Sequence, residues 1–237
     1  MLVSHLATDR QMGNKGLKML VVDARKAHLH ATPTRDIYVA LPPERHEAGK
    51  CAKLRRCLYG TRDAPARWEA YYTEVLEKLG FQRGLASTCC FKHATRDVRC
   101  VVHGDDFVFI GNDADLHWVH TAMEPHIMLK VVGKLGPDAT DLREIRVLNR
   151  IIRWQEDGIR YEADPRHAEL LARDFEAPGP AVKTPGAKGS QEEIEGSTPL
   201  DTSGIKHFRS GAARANYLAM DRADLASPAK ELCRRMA

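Results

Sequence analysis

Residues 99–110 read RCVVHGDDFVFI. Two adjacent carboxylates, Asp105 and Asp106, interrupt a run built otherwise of β-branched, aromatic and small apolar side chains. The pattern predicts two core strands joined by a tight turn at His103-Gly104-Asp105-Asp106, because Gly and Asp suit turns and the flanks suit strands. A core hairpin tipped with two acids constrains the fold strongly. Its strands must be packed, while its carboxylates must stay hydrated or meet a cation. Gly-Asp-Asp alone is ordinary turn composition. Its weight here comes from Val101-Val102 before it, Phe107–Ile110 after it, and a third acid far upstream.

That third acid is Asp23. Leu17–Ala24 (LKMLVVDA) is a short apolar run that reads as a buried strand, with Asp23 near its C-terminal end. Acids at the ends of buried strands cost desolvation unless something positive meets them, and a metal ion is the usual answer. Magnesium takes a few carboxylate oxygens, several waters and substrate phosphates. Two such ions, about 3.5–4 Å apart, clamp the attacking and leaving oxygens of phosphoryl transfer. A nucleotidyl transferase needs this arrangement.

Around these acids the chain alternates strands and helices. Arg35–Leu41 is β-rich and stops at Pro42-Pro43. Asp63-Ala64-Pro65 reads as a helix start, since proline is tolerated in the first turn. Trp68, Tyr71, Tyr72, Val75, Leu76 and Leu79 then recur at helical spacing up to Gly80, and the Trp68-Tyr71-Tyr72 stripe reads as core packing. Cys89–His93 reads as a strand, and Leu116–Leu129 as a helix with a bend at Pro125. Ile145–Trp154 and Gly158–Glu162 read as the two arms of a hairpin, and Asp164-Pro165 as the start of a helix ending near Phe175. Ala177–Gly204 is rich in Pro, Gly, Ser and Thr and reads as a mobile linker; Lys206–Ala237 reads as one or two helices.

Other chemistries fit less well. The six cysteines (Cys51, Cys57, Cys89, Cys90, Cys100 and Cys233) form no Cys-x-x-Cys pair, which argues for reduced thiols in a cytoplasmic or nuclear protein. Met1–Gln11 lacks the apolar segment of a secretory signal, and no stretch approaches the roughly 20 apolar residues of a membrane span. His117, His120 and His126 have no Cys or acid partner at zinc-site spacing. Gly13-Asn14-Lys15-Gly16 lacks the Walker spacing and reads as a turn. No Gly-x-Ser-x-Gly elbow is present. The net charge of +4 permits a polyanionic partner without demanding one.

Taken in order, the segments resemble the reverse transcriptases of copia-type retrotransposons. Val22–Pro43 (VDARKAHLHATPTRDIYVALPP) is similar to that family's first catalytic motif, which reads roughly D-x-K-x-A-F-L-x-G and continues to a P-P. Lys53–Trp68 (KLRRCLYGTRDAPARW) looks like K-L-x-x-x-L-Y-G-L-K-Q-A-P-R-x-W, and Phe81–Phe91 (FQRGLASTCCF) like G-F-x-x-S-x-x-D-x-C-L-F. Val102–Gly111 looks like the Y-V-D-D box with its trailing I-x-G. Lys130–Ile152 and Phe208–Leu225 are similar to the later segments K-x-x-L-G-x-x-x-x-x-L-G and Y-R-x-x-x-G-x-L-x-Y-L. The collinear order over nearly the whole chain is more specific than any single motif.

The resemblance implies an α+β right-hand polymerase palm, an antiparallel sheet backed by helices, with partial fingers and the start of a thumb. It implies partial fingers and palm over 1–135, a palm end with a thumb-like hairpin and helix over 136–176, a linker over 177–204 and a helical segment over 205–237. It implies that Asp23, Asp105 and Asp106 are catalytic and hold Mg2+ or Mn2+. It places the backbone around Ala24, Arg25 and Ala27 near the triphosphate. Asp63, Pro65 and the residues to Trp68 would support template and incoming nucleotide. His28 stands where the family carries an aromatic that screens the ribose 2′ hydroxyl. The implied partners are an RNA or DNA template-primer and deoxynucleoside triphosphates, with no membrane. Three departures stand out: His28 for Phe or Tyr, Asp63 for Gln, and His103-Gly104 for Tyr-Val. With only Met1–Val22 ahead of Asp23, and no RNase H, integrase or protease segment, the expectation is a fragment or a decayed copy.

Overall fold

The structure, a computed structural model, describes residues 2–11, 16–176 and 196–236. It divides into two compact units: Met1–Ile145 with Arg153–Ile159, and Arg146–Ile152 with Arg160–Ala237. Of the predicted Gly13–Gly16 turn, residues 13–15 lie outside the described residues, as does 177–195 of the predicted linker.

In the first unit, helix α1 (Leu2–Gln11) precedes strand β1 (Lys18–Ala24), whose residues are buried except for the half-buried Asp23. Two short strands, β2 (Tyr38–Val39) and β3 (Ala52–Lys53), pair with each other apart from the main sheet. The predicted strand over Arg35–Leu41 therefore shrinks to two residues, most of its neighbours being exposed and without a sheet partner. Helix α2 (Ala64–Lys78) is followed by β4 (Phe81–Arg83), β5 (Cys90–His93), β6 (Arg99–His103), β7 (Asp106–Gly111), α3 (Asp113–Met123) and β8 (Leu129–Leu135). The main sheet has the order β4-β5-β6-β7-β1-β8, and every neighbouring pair is antiparallel.

Alternation along the strands decides which face carries what. Leu20, Val22 and Ala24 of β1 and Phe107 and Phe109 of β7 face one way, into a cluster with Trp68, Tyr72, Val75 and Leu76 of α2 and Leu116, Val119 and Met123 of α3. Phe107 and Phe109 are fully buried, and truncating either would cost about 3–5 kcal/mol. Asp23 and Asp106, out of phase with these residues, fall on the opposite face. Helix α2 stops at Gly80, whose φ is +93°; a Cβ there would lie 2.8 Å from the His93 ring nitrogen. Two constraints, handedness and space, thus require glycine.

Two predicted elements need correction. The helix expected over Leu116–Leu129 starts earlier, with Asn112 capping it by accepting from the Asp115 amide at 2.9 Å, and ends at Met123. Pro125 stops it rather than bending it, and Leu129 onward becomes β8, paired to β1. The arm read as one strand over Ile145–Trp154 is two, β9 (Glu144–Val147) and β10 (Arg150–Trp154). Between them Leu148 and Asn149 both take positive φ, as a two-residue primed turn demands. With β11 (Ile159–Glu162) they form a three-stranded sheet of order β11-β10-β9.

The second unit adds α4 (Pro165–Asp174), α5 (Thr202–Ala219) and α6 (Ala226–Arg234). Asp164 and Asp201 cap α4 and α5 by accepting from the amides of Arg166 and Gly204. Arg150 donates to Asp221 at 2.9 Å and to the Tyr217 hydroxyl at 2.8 Å, and the Tyr161 hydroxyl donates to the other Asp221 oxygen at 2.8 Å. Helix α5 begins at Thr202, inside the stretch read as linker.

In the first unit, β1 is anchored at its start by a buried ammonium. The Lys18 side chain is only 4% exposed and is paired with Asp113, Asp138 and Asp141, the last at 3.0 Å; Lys134 joins Asp113 and Asp141. Burial pulls the Lys18 pKa down, but its three carboxylate hydrogen bonds outweigh that and raise it. Burial pushes Asp113 and Asp141 up, and the two lysines more than reverse this, leaving both below the usual carboxylate range. The carboxylates' share of stability is present above their unfolded pKa and lost as pH falls through the folded one. The Lys18 share is present below its unfolded pKa and lost as pH rises through the folded one. Urea denaturation should show a plateau in this network's contribution between about pH 5 and pH 10. At pH 7, Lys18→Met should lower stability by about 3 kcal/mol, because Asp141 stays buried and loses one partner. Lys50→Met, which breaks an exposed pair, should change it by less than about 0.5 kcal/mol.

Candidate metal and nucleotide site

The acids meet at one end of the sheet. The β1–β7 register sets Asp23 opposite Asp106, and the β6–β7 register sets His103 opposite Asp106. Gly104 and Asp105 are then the two turn residues. Gly104 has φ +65°, the left-handed value that such a turn places on its first central residue. The glycine that departs from the family's usual Tyr-Val lead-in is thus what this turn geometry favours. The Asp105 carbonyl accepts from the Ala24 amide at 2.8 Å, which ties the tip to the residue after Asp23.

One carboxylate oxygen from each of Asp23, Asp105 and Asp106 lies within 4.8 Å of the others. Asp105 is exposed, and the other two are half-buried. Burial first, then the charges of Asp105 and Asp23, push the Asp106 carboxyl above the usual range, with His103 opposing. Among the described residues no Lys or Arg makes an ion pair with the three. Three hard oxygen donors, mutually repelling and without a bound counter-charge, fit a divalent cation such as Mg2+ or Mn2+. Among the described residues this is the one such grouping of metal-ligating side chains; His117, His120 and His126 form none.

The other residues singled out from sequence lie outside the cluster. Ala24 and Ala27 are buried in the hydrophobic core, while Arg25 and Lys26 are exposed. The amides of Ala24 and Arg25 are already engaged, by the Asp105 and Met128 carbonyls at 2.8 Å each. The His28 ring lies tilted against Tyr59 with centroids 4.4 Å apart, and its buried Nδ1 has no hydrogen-bond partner among the described residues. Asp63 precedes α2 with both carboxylate oxygens buried and, among the described residues, without a hydrogen-bond partner; Pro65 is exposed in the first turn.

Two contacts escaped the sequence reading. Trp68, read as core packing and as the end of the segment supporting template and nucleotide, also donates its indole N–H to the Gly104 carbonyl at 2.8 Å. A buried indole needs an acceptor, so its burial was the signal. Lys130 pairs in register with Asp23 from β8, which makes a row of His103, Asp106, Asp23 and Lys130 across the sheet. The sequence marked Lys130 only as the head of the K-x-x-L-G-like segment; its place beside Asp23 depends on the pairing of β8 with β1.

An antiparallel sheet backed by helices, with acids on its hairpin tip, is the palm-type fold of polymerases. A family model described as reverse transcriptase (RNA-dependent DNA polymerase) matches residues 12–137, more than half of the chain, and the chain belongs to that family. Relatives include the retrovirus-related Pol polyproteins from transposons RE1 and RE2 of Arabidopsis thaliana. Each is 24% identical over 91% of this chain and 14% of the relative. The truncated transposon Ty1-A Gag-Pol polyprotein of Saccharomyces cerevisiae is 21% identical over 73% of this chain and 15% of its own length. These matches support the copia-type assignment, and the chain spans about one seventh of the curated relatives. Among solved structures, apo telomerase from Candida tropicalis aligns with TM-score 0.42 and 10% identity, covering 68% of this chain and 38% of that one.

The electrostatics of the cluster carry a sign that can be checked. With Asp106 raised above its unfolded value, its ionised form opposes folding at neutral pH. In metal-free buffer with chelator, Asp106→Asn should stabilise the protein by roughly 0.5 kcal/mol in urea denaturation, solvent screening keeping the gain small. A loss of stability would show that the acids do not repel one another.

Proposed function

We propose that this reverse-transcriptase domain is catalytic, and transfers nucleotides from deoxynucleoside triphosphates to a primer 3′ hydroxyl on an RNA or DNA template. The observation that supports this most is the convergence of Asp23, Asp105 and Asp106. Divalent ions bound there would neutralise the attacking and leaving oxygens of phosphoryl transfer. The chain's own contribution is placement. Strand register holds Asp23 beside Asp106, the turn presents Asp105, and Lys130 adds a cation one strand away for a phosphate oxygen. Exposed Arg25 and Lys26 lie just beyond Asp23, where the proposal sets the triphosphate along Ala24–Ala27. His28, backed by Tyr59, would face the sugar. Asp63 and Pro65 would meet the template and incoming base. Exposed Lys and Arg gripping the nucleic-acid backbone would make binding weaken with salt.

One observation favours a second reading, a decayed remnant with at most weak nucleic-acid binding. Asp63 places an acid, its oxygens buried and without a hydrogen-bond partner among the described residues, in a segment that would handle polyanions. Primer extension on an RNA template with Mg2+ or Mn2+ separates the two. The catalytic reading expects extension above background and a loss on the order of 100-fold or more in Asp23→Asn and Asp105→Asn. Background extension, unchanged in these variants, would establish the remnant.

A further inference from the structure

Asp105 is exposed and sits second in a two-residue turn, a position where a side chain ordinarily has much freedom. Yet the peptide groups on both sides of it are pinned. The Gly104 carbonyl accepts the Trp68 indole N–H at 2.8 Å, and the Asp105 carbonyl accepts the Ala24 amide at 2.8 Å. Holding both peptide planes fixes the backbone torsions of Asp105, and with them the direction of its Cβ.

The donor is itself immobilised. Trp68 is 3% exposed. Its ring meets Tyr72 edge-on at 5.5 Å, Phe107 edge-on at 6.2 Å, and Tyr71 in a stack at 6.1 Å. Tyr71 is tied in turn by its hydroxyl to the His126 carbonyl at 2.8 Å. The indole N–H therefore reaches the tip from the helical layer on a ring that cannot swing. Phenylalanine would fill most of that space but offer no donor.

We propose that Trp68 is a positioning residue for the acid cluster: its N–H, through the Gly104 carbonyl, keeps Asp105 within metal-ligating reach of Asp23 and Asp106. The inference rests on reading the cluster as a metal site. One hydrogen bond of ordinary strength sets the size of the effect, about five- to tenfold.

Titration of the whole chain with Mn2+, followed by electron paramagnetic resonance of the free ion, tests this. The wild type should bind, Asp105→Asn should lose binding, and Trp68→Phe should bind about five- to tenfold more weakly. Wild-type binding that Trp68→Phe fully retains would overturn the clamp and leave the metal site standing. No binding by the wild type would overturn both. A second readout needs no variant to fold. Among the indole N–H resonances of Trp68, Trp118 and Trp154, that of Trp68 should move on saturation with Mg2+. A Trp68 resonance that does not respond would contradict the coupling.

Discussion

The structure turns on a repulsion that the backbone imposes. Three carboxylates within 4.8 Å of one another do not gather by choice. Like charges at that range repel, by about 1 kcal/mol or less per pair where water screens them. The main-chain ladder between β1 and β7 sets Asp23 against Asp106, and the His103–Asp106 pairing fixes where the turn falls. The buried faces of the same strands hold that register. A slip of one residue would bring Phe107 and Phe109 out of the core and turn the acids inward. Core packing thus supplies the force that keeps the acids together, and the electrostatic cost is offset elsewhere in the sheet.

The same economy explains why β1 is anchored so firmly at its other end. Lys18, five residues before Asp23, is buried among Asp113, Asp138 and Asp141. These partners come from the first turn of α3 and from the segment after β8, the elements that follow the strands on either side of β1. One end of β1 therefore satisfies its charge in close ion pairs, while at the other, among the described residues, no Lys or Arg makes an ion pair with the three carboxylates.

Much of this was legible in the residues. The apolar run ending at Asp23, the acid-tipped hairpin and the amphipathic helix starting at Asp63-Ala64-Pro65 depend on local pattern, and each stands where the pattern put it. What could not be read depends on distant partners or on turns without a strong signature. Leu129–Leu135 has no clean alternation, and becomes a strand because β1 offers it an edge. The break at Leu148-Asn149 hides a primed turn behind a leucine that rarely takes positive φ. The carbonyl that Trp68 reaches is 36 residues away in sequence. The acids themselves were legible as types and positions, but their mutual distance was not.

The central claim, that these three carboxylates form one cation site, is tested most directly by a crystal structure of the chain grown with Mn2+. Anomalous difference maps should show a peak within direct coordination distance of carboxylate oxygens of both Asp23 and Asp105, with Asp106 beside it. Clear maps in which the carboxylates splay apart, with Mn2+ present and no peak between them, would contradict it.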